Sequence, residues 1–345
     1  MKYRYVPILR WKRGERTALK QTSQPNIRQV IPLIILTADA YKEKPEKHTQ
    51  PGIPAADMFA EEIHKHWGNR PFYLDASRLP PNPDGTHPLL EIAKCCRDGF
   101  APPHLIPATT LGAGVPYEAA VQQITHTDKR GVALRVGMRE FTTAQHWIAS
   151  WPHALEQTDL ILDFGDSAPT FFQLGPGIDQ SFKDLHQQRK WRTVTVAGTS
   201  IPENFGGFPP GVNTIPRAEL LIWEQIVQLH LPYRIDYGDY ATVSTTPAPS
   251  GIKWGYPINV RYTLPKDFLI CRGVPTTGPD GVDMDEQLIG HARLIVNYPE
   301  RHRIECWADV TIDRIAALDE KPGNLEHWVK IGVNRHIEWV RSNLP

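Results

Sequence analysis

Two near-identical tetrapeptides carry the chain's most pointed chemistry: Asp163-Phe164-Gly165-Asp166 and Asp236-Tyr237-Gly238-Asp239. Each closes a short run, Leu160-Ile161-Leu162 and Tyr233-Arg234-Ile235, that reads as a buried strand. A carboxylate ending a buried strand, a glycine turn and a second carboxylate put paired negative charge at the mouth of a sheet. That is where α/β folds hold their reactive groups. Converging carboxylates suit three tasks. They hold a hard divalent ion such as Mg²⁺ through a few oxygens. They separate into an acid and a base when repulsion splits their pKa values. Or they pair with arginine in a buried ionic network.

The elements that must position these groups are regular. Apolar runs fall at residues 5–11, 30–36, 71–74, 105–111, 131–136, 159–164, 193–197 and 233–237. Most are continuous rather than alternating, as parallel strands covered on both faces require. Between them, residues 89–97, 117–126, 143–155 and 216–229 read as helices, the last with Pro216 in its first turn. Eight strand–helix units in residues 1–240 predict a closed (β/α)8 barrel of the TIM type. No GxGxxG follows the first strand, which counts against an open doubly wound sheet.

Two segments exceed the repeat. Residues 37–70 form an insertion after strand two, with a polar stretch at 41–50 and a helix near 55–67. Residues 241–345 begin with a Thr/Pro/Ser linker at 243–250, continue into a hairpin at 258–263 and 268–272, and end in helices at 284–296, 312–318 and 325–342. This C-terminal extension is expected to cap the barrel within the same domain and to supply its eighth helix.

Reading the strand ends gives the candidate site. Arg10 and Lys12 follow strand one, Asp75, Ser77 and Arg78 strand three, and Thr109 and Thr110 strand four. Arg135 follows from strand five, Asp163 and Asp166 from six, Thr199 and Ser200 from seven, and Asp236 and Asp239 from eight. Alternate strands share a side-chain layer in such barrels. Asp163 and Asp236 are therefore expected at similar depth, with Asp75 across from them and Arg135 beside Asp163. The leading reading is a barrel that binds a ligand or a protein partner, without established chemistry. The alternative is a hydrolase of a phosphate ester or nucleotide-like substrate. There Asp75, Asp163 and Asp236 would be catalytic, with Asp163 and Asp236 as ligands of a divalent ion. Lys12, Arg78, Arg135, Asp166, Asp239 and Ser200 would contact the substrate.

Other motifs carry less. Asp163-Phe164-Gly165 lacks the glycine loop, strand lysine and His-Arg-Asp of a protein kinase. Ser200 lacks the flanking glycines of a nucleophile elbow. Gly206 to Gly211 reads as a shaped loop. His64 and His66, two apart on a helix, face different ways.

The chain has 345 residues, with 38 basic and 38 acidic side chains. That balance gives no indication of nucleic acid or an anionic membrane as partner. Four cysteines without a CxxC read as reduced thiols. The first residues are too charged for a signal peptide, and no apolar stretch reaches the ~18–20 residues of a membrane span. The sequence thus reads as a soluble cytoplasmic protein.

Residues 5–15, 159–166, 234–240, 257–262 and 268–273, with the tail from Gly323-Asn324 through Trp328 to Gly332–His336, resemble the beta protein family of bacteriophages and bacteria. The resemblance spans essentially the whole chain. It implies a setting in phage genomes and bacterial mobile or defence loci, and a role in phage–host conflict. Partners implied by that setting are a toxin, a nuclease or a phage protein. It carries over no catalytic residue.

Overall fold

Strand β1 (Tyr5–Leu9) alternates strictly, with Val6 and Ile8 facing the barrel interior and Tyr5 and Leu9 packing under the surrounding helices. The computed structural model describes residues 3–23, 27–42, 54–99, 104–173, 177–185, 190–246 and 257–345. The same two-sided burial shapes β2 (Leu33–Ile35), β3 (Phe72–Asp75), β4 (Leu105–Thr110), β5 (Val132–Val136), β6 (Thr158–Asp163) and β7 (Thr193–Gly198). β8 (Gly211–Pro216) lies outside this series, and β9 (Ile235–Asp239) closes it. The barrel order is β1-β2-β3-β4-β5-β6-β7-β9, all parallel, with β9 hydrogen-bonded back to β1 through Tyr5 opposite Tyr237. The expected TIM-type (β/α)8 barrel is the observed fold.

Inside, Val6, Ile8, Leu33, Ile35, Tyr73, Ile106, Ala108, Ala133, Ile161 and Ala197 fill the barrel. At roughly 25 cal/mol per Å² of apolar surface removed from water, this plug and the strand–helix layer around it supply the main driving force for closure.

β10 (Asn259–Thr263) and β11 (Asp267–Arg272) form the expected antiparallel hairpin. β8 joins it as a third strand through β11, which sequence reading missed. Burial along β8 alternates between half-buried and exposed, so it has no continuous apolar run. Pro216 ends β8, and the following helix runs Ala218–Gln228 rather than starting at Pro216. The helix expected over 143–155 is instead a series of short turns, Ala144–Trp147, Ile148–Ser150 and Leu155–Gln157. Of the polar stretch at 41–50 and the linker at 243–250, residues 43–50 and 247–250 lie outside the described residues.

The C-terminal helix (Leu325–Asn343) serves two cores. Val333, Ile337 and Val340 pack with the barrel, while Trp328 and Ile331 pack with Val260, Leu288 and Ile312 of the extension. It also packs on helix Arg13–Lys20 and on β1, where an eighth barrel helix belongs. Among the described residues no helix is long and apolar enough to cross a membrane.

Candidate functional site

The two tetrapeptides are not equivalent. Asp163 ends β6, and Gly165 turns the chain with φ +53, a left-handed conformation that favours glycine. The second tetrapeptide lies within β9, because that strand runs two residues later than expected. There Gly238 meets a different need: a Cβ would approach Ala197 Cβ and the Val6 carbonyl oxygen to 3.0 Å. Asp236 therefore sits at the entrance of β9, and the residue at its exit is Tyr240. They are four residue steps apart, ~13 Å at the usual strand rise.

The barrel interior is layered in consequence. At the N-terminal floor, Asp159 accepts from Arg192 Nε at 2.8 Å and Nη2 at 2.6 Å, from Tyr73 Oη at 2.8 Å and from Thr193 Oγ1 at 2.8 Å. Beside it, Asp236 pairs with Arg234 Nε at 2.8 Å and accepts from the Arg4 backbone N–H at 2.9 Å. Burial pushes the Asp236 carboxyl up, against these donors. Asp236 and Asp163 thus occupy opposite ends of the barrel, and the expectation that they hold one metal ion or form one acid–base pair is corrected. Among the described residues no three His, Cys, Asp or Glu side chains group as a metal site.

At the C-terminal mouth, Asp75, Arg135, Asp163, Tyr240 and Arg10 converge. Asp75 Oδ1 accepts from Ser77 N at 3.0 Å and Oγ at 2.6 Å, which leaves Oδ2 facing Arg135 Nη2 at 3.4 Å. Asp163 Oδ1 accepts from Gly165 N at 2.9 Å, and its Oδ2 accepts from Tyr240 Oη at 2.5 Å. That same Oδ2 stands 3.8 Å from Arg135 Nε, so the expected neighbourhood of Arg135 and Asp163 is present, with Asp75 added. Burial alone would lower the Arg135 guanidinium; Asp75 and then Asp163 outweigh it and raise it. Arg135 Nη1 is enclosed and has no hydrogen-bond partner among the described residues. Burial, and then Asp163, drive the Tyr240 phenol well up, so it acts as a donor.

Arginines dominate the rim. Arg10 is buried and its Nη2 donates to the Ser244 carbonyl. Among the described residues no carboxylate comes within 4.0 Å of its guanidinium. Burial lowers Arg10, and the nearby Arg78 lowers it further, while Glu15 opposes both. Arg261, from β10, donates Nη1 to the Thr242 carbonyl at 2.6 Å and stacks over Phe205 at 4.9 Å. Its Nε is enclosed without a partner among the described residues. Burial, followed by the charge of Arg10, brings it down to about 10. Arg78 is exposed. Trp11 and Ala241, the residues immediately after Arg10 and Tyr240, have φ of 60 and 50. Left-handed backbone at a non-glycine residue costs roughly 1–2 kcal/mol and clusters at functional sites.

The remaining sequence candidates are placed elsewhere. Lys12 and Asp166 are exposed, beyond the ends of β1 and β6. Asp239 points out of the barrel: it accepts from Tyr5 Oη at 2.6 Å and meets His336 Nε2 at 2.7 Å under the C-terminal helix. Burial would raise its carboxyl, but His336, Arg217 and Tyr5 outweigh that and lower it. Ser200 is buried and donates to Glu219 Oε2 at 2.5 Å. Both side chains are committed to buried partners, Asp239 to Tyr5 and His336 and Ser200 to Glu219, rather than left free for a substrate as expected. Sequence reading missed Tyr240 and Arg261. The first was findable, because residues 236, 238 and 240 alternate onto one face. The second comes from the extension and left no signal in the barrel segment.

A family model described as Beta protein matches residues 5–341. Comparison with curated proteins and with solved structures gives no match.

Proposed function

The chain belongs to the Beta protein family, and from that premise and the geometry of the mouth we propose that the barrel binds a small phosphorylated ligand at its C-terminal end. The observation that carries this reading is the pair Arg10 and Arg261. Among the described residues neither guanidinium has a carboxylate within 4.0 Å, yet one is buried and the other has an enclosed, unpartnered Nε. Glu15 offsets part of the burial of Arg10, whereas among the described residues no carboxylate offsets that of Arg261, so an anion at this rim supplies negative charge that the pair otherwise lacks. Each arginine spends one of its five donors on the 242–244 backbone and keeps others for phosphate oxygens. Arg78, exposed and within electrostatic reach of Arg10, adds to the field that draws an anion in.

Nothing in this geometry supports the divalent-metal hydrolase, since its third carboxylate, Asp236, belongs to the ion-paired floor. The setting we attach to the binding is phage–host conflict, as the family resemblance suggests. Titration calorimetry with inorganic phosphate at low salt tests the binding. Arg261→Gln should weaken it by about 1.5–3 kcal/mol, the worth of a hydrogen bond to a charged group. Equal affinity in both proteins, or no binding by the wild type, refutes the reading. For the setting, phage plating on hosts that carry the wild type or the Arg10→Gln/Arg261→Gln double variant should differ; equal plating rejects it.

A further inference from the structure

Resting on that reading, we infer that the inner half of the mouth recognises hydroxyl groups, so that the ligand is a sugar phosphate. Asp75 Oδ2 accepts no hydrogen bond from the described residues, because both donors of Ser77 go to Oδ1. Asp163 Oδ2 accepts from Tyr240 Oη and retains a second lone pair. Between them stands Arg135, with Nη2 3.4 Å from Asp75, Nε 3.8 Å from Asp163 and Nη1 enclosed without a partner. The row reads acceptor, donor, acceptor.

Charge narrows what fits that row. Two carboxylates around one guanidinium leave a net negative inner site, which repels a second anionic group. A cationic group meets Arg135 itself and the rim arginines Arg10 and Arg261. A neutral group that both donates and accepts suits such a row, and adjacent hydroxyls do this: one donates to Asp75 Oδ2, its neighbour to Asp163 Oδ2, and their oxygens face the Arg135 guanidinium between them. The apolar layer below, with Ile161, Ala133 and Ala108, ends the polar site. A pentose or hexose phosphate therefore reaches inward with its hydroxyls while its phosphate rests on the rim.

The ligand series on the wild-type protein tests this without any variant. Ribose 5-phosphate should bind at least tenfold tighter than inorganic phosphate, and 2-deoxyribose 5-phosphate should fall between them. Asp75→Asn and Arg135→Lys, each checked for folding by circular dichroism, should bring the ratio between ribose 5-phosphate and phosphate close to one. If phosphate binds but ribose 5-phosphate binds no tighter, the sugar inference fails and the phosphate site stands. If neither binds, the phosphate reading fails and takes this inference with it.

Discussion

Glu219 offers a sharp test of the buried network that joins the barrel to its extension. Its Oε2 accepts from Ser200 Oγ at 2.5 Å, and its Oε1 lies 3.7 Å from Arg217 Nε. Arg217 is shared with Asp239 at 3.9 Å, so two carboxylates compete for one guanidinium. Burial raises the Glu219 carboxyl to about 7, with Arg217 opposing and Asp239 assisting. In the unfolded chain it returns to the usual ~4.3 of a glutamate. The folded state therefore keeps a proton that the unfolded state releases. That contribution is fully present below the unfolded pKa and is lost as pH rises through the folded one. Between pH 5 and pH 8 the loss is about 2–3 kcal/mol, because each pH unit crossed between the two pKa values is worth ~1.4 kcal/mol. Glu219→Gln keeps an acceptor for Ser200 and removes the titration. Urea denaturation of both proteins across that range isolates the effect, since the other titrating groups cancel in the difference. Wild-type stability should decline relative to the variant by that amount as pH rises. Parallel profiles would mean that Glu219 is ionised throughout, and the account of this network would be wrong.

The glycines of the two tetrapeptides should fail differently. Gly165→Ala should cost roughly 1–2 kcal/mol by denaturant melt from left-handed backbone, and Gly238→Ala roughly 1–3 kcal/mol from overpacking against Ala197 and Val6. Measured values near zero at Gly238 would remove the packing explanation. Asp236→Asn should lower stability by roughly 1–3 kcal/mol, because Arg234 and the Arg4 amide lose a charged acceptor, and should leave phosphate affinity unchanged. A changed phosphate affinity in that variant would contradict the separation of floor from mouth.

The barrel was legible because parallel strands covered on both faces read as continuous apolar runs, and residues 158–163 or 193–198 need nothing further to be found. Depth within the barrel was harder. Placing the last strand at 233–237 rather than 235–239 shifts it by two residues, which preserves the side-chain face and hides the error. Asp236 does face inward as expected, but at the floor, and Tyr240 takes its place beside Asp163. Asp239 has the opposite parity and goes outward to His336. The neighbourhood of Asp163 and Arg135 followed from strand order alone. β8 could not be read, because an edge strand with one solvated face and an N-T-I-P sequence has no apolar run; only its pairing with β11 defines it. Arg261 at the mouth depends on how the extension docks, which no local pattern encodes.

Location of an oxyanion bears most directly on the central claim. Crystals soaked in tungstate, a heavy phosphate analogue, would give an anomalous peak that fixes the anion. The account predicts a peak at the C-terminal mouth, within hydrogen-bond distance of Arg10 and Arg261, and its loss in the Arg10→Gln/Arg261→Gln variant. A peak confined to the N-terminal floor beside Arg192 and Arg234, or a mouth peak unchanged in the double variant, would contradict it.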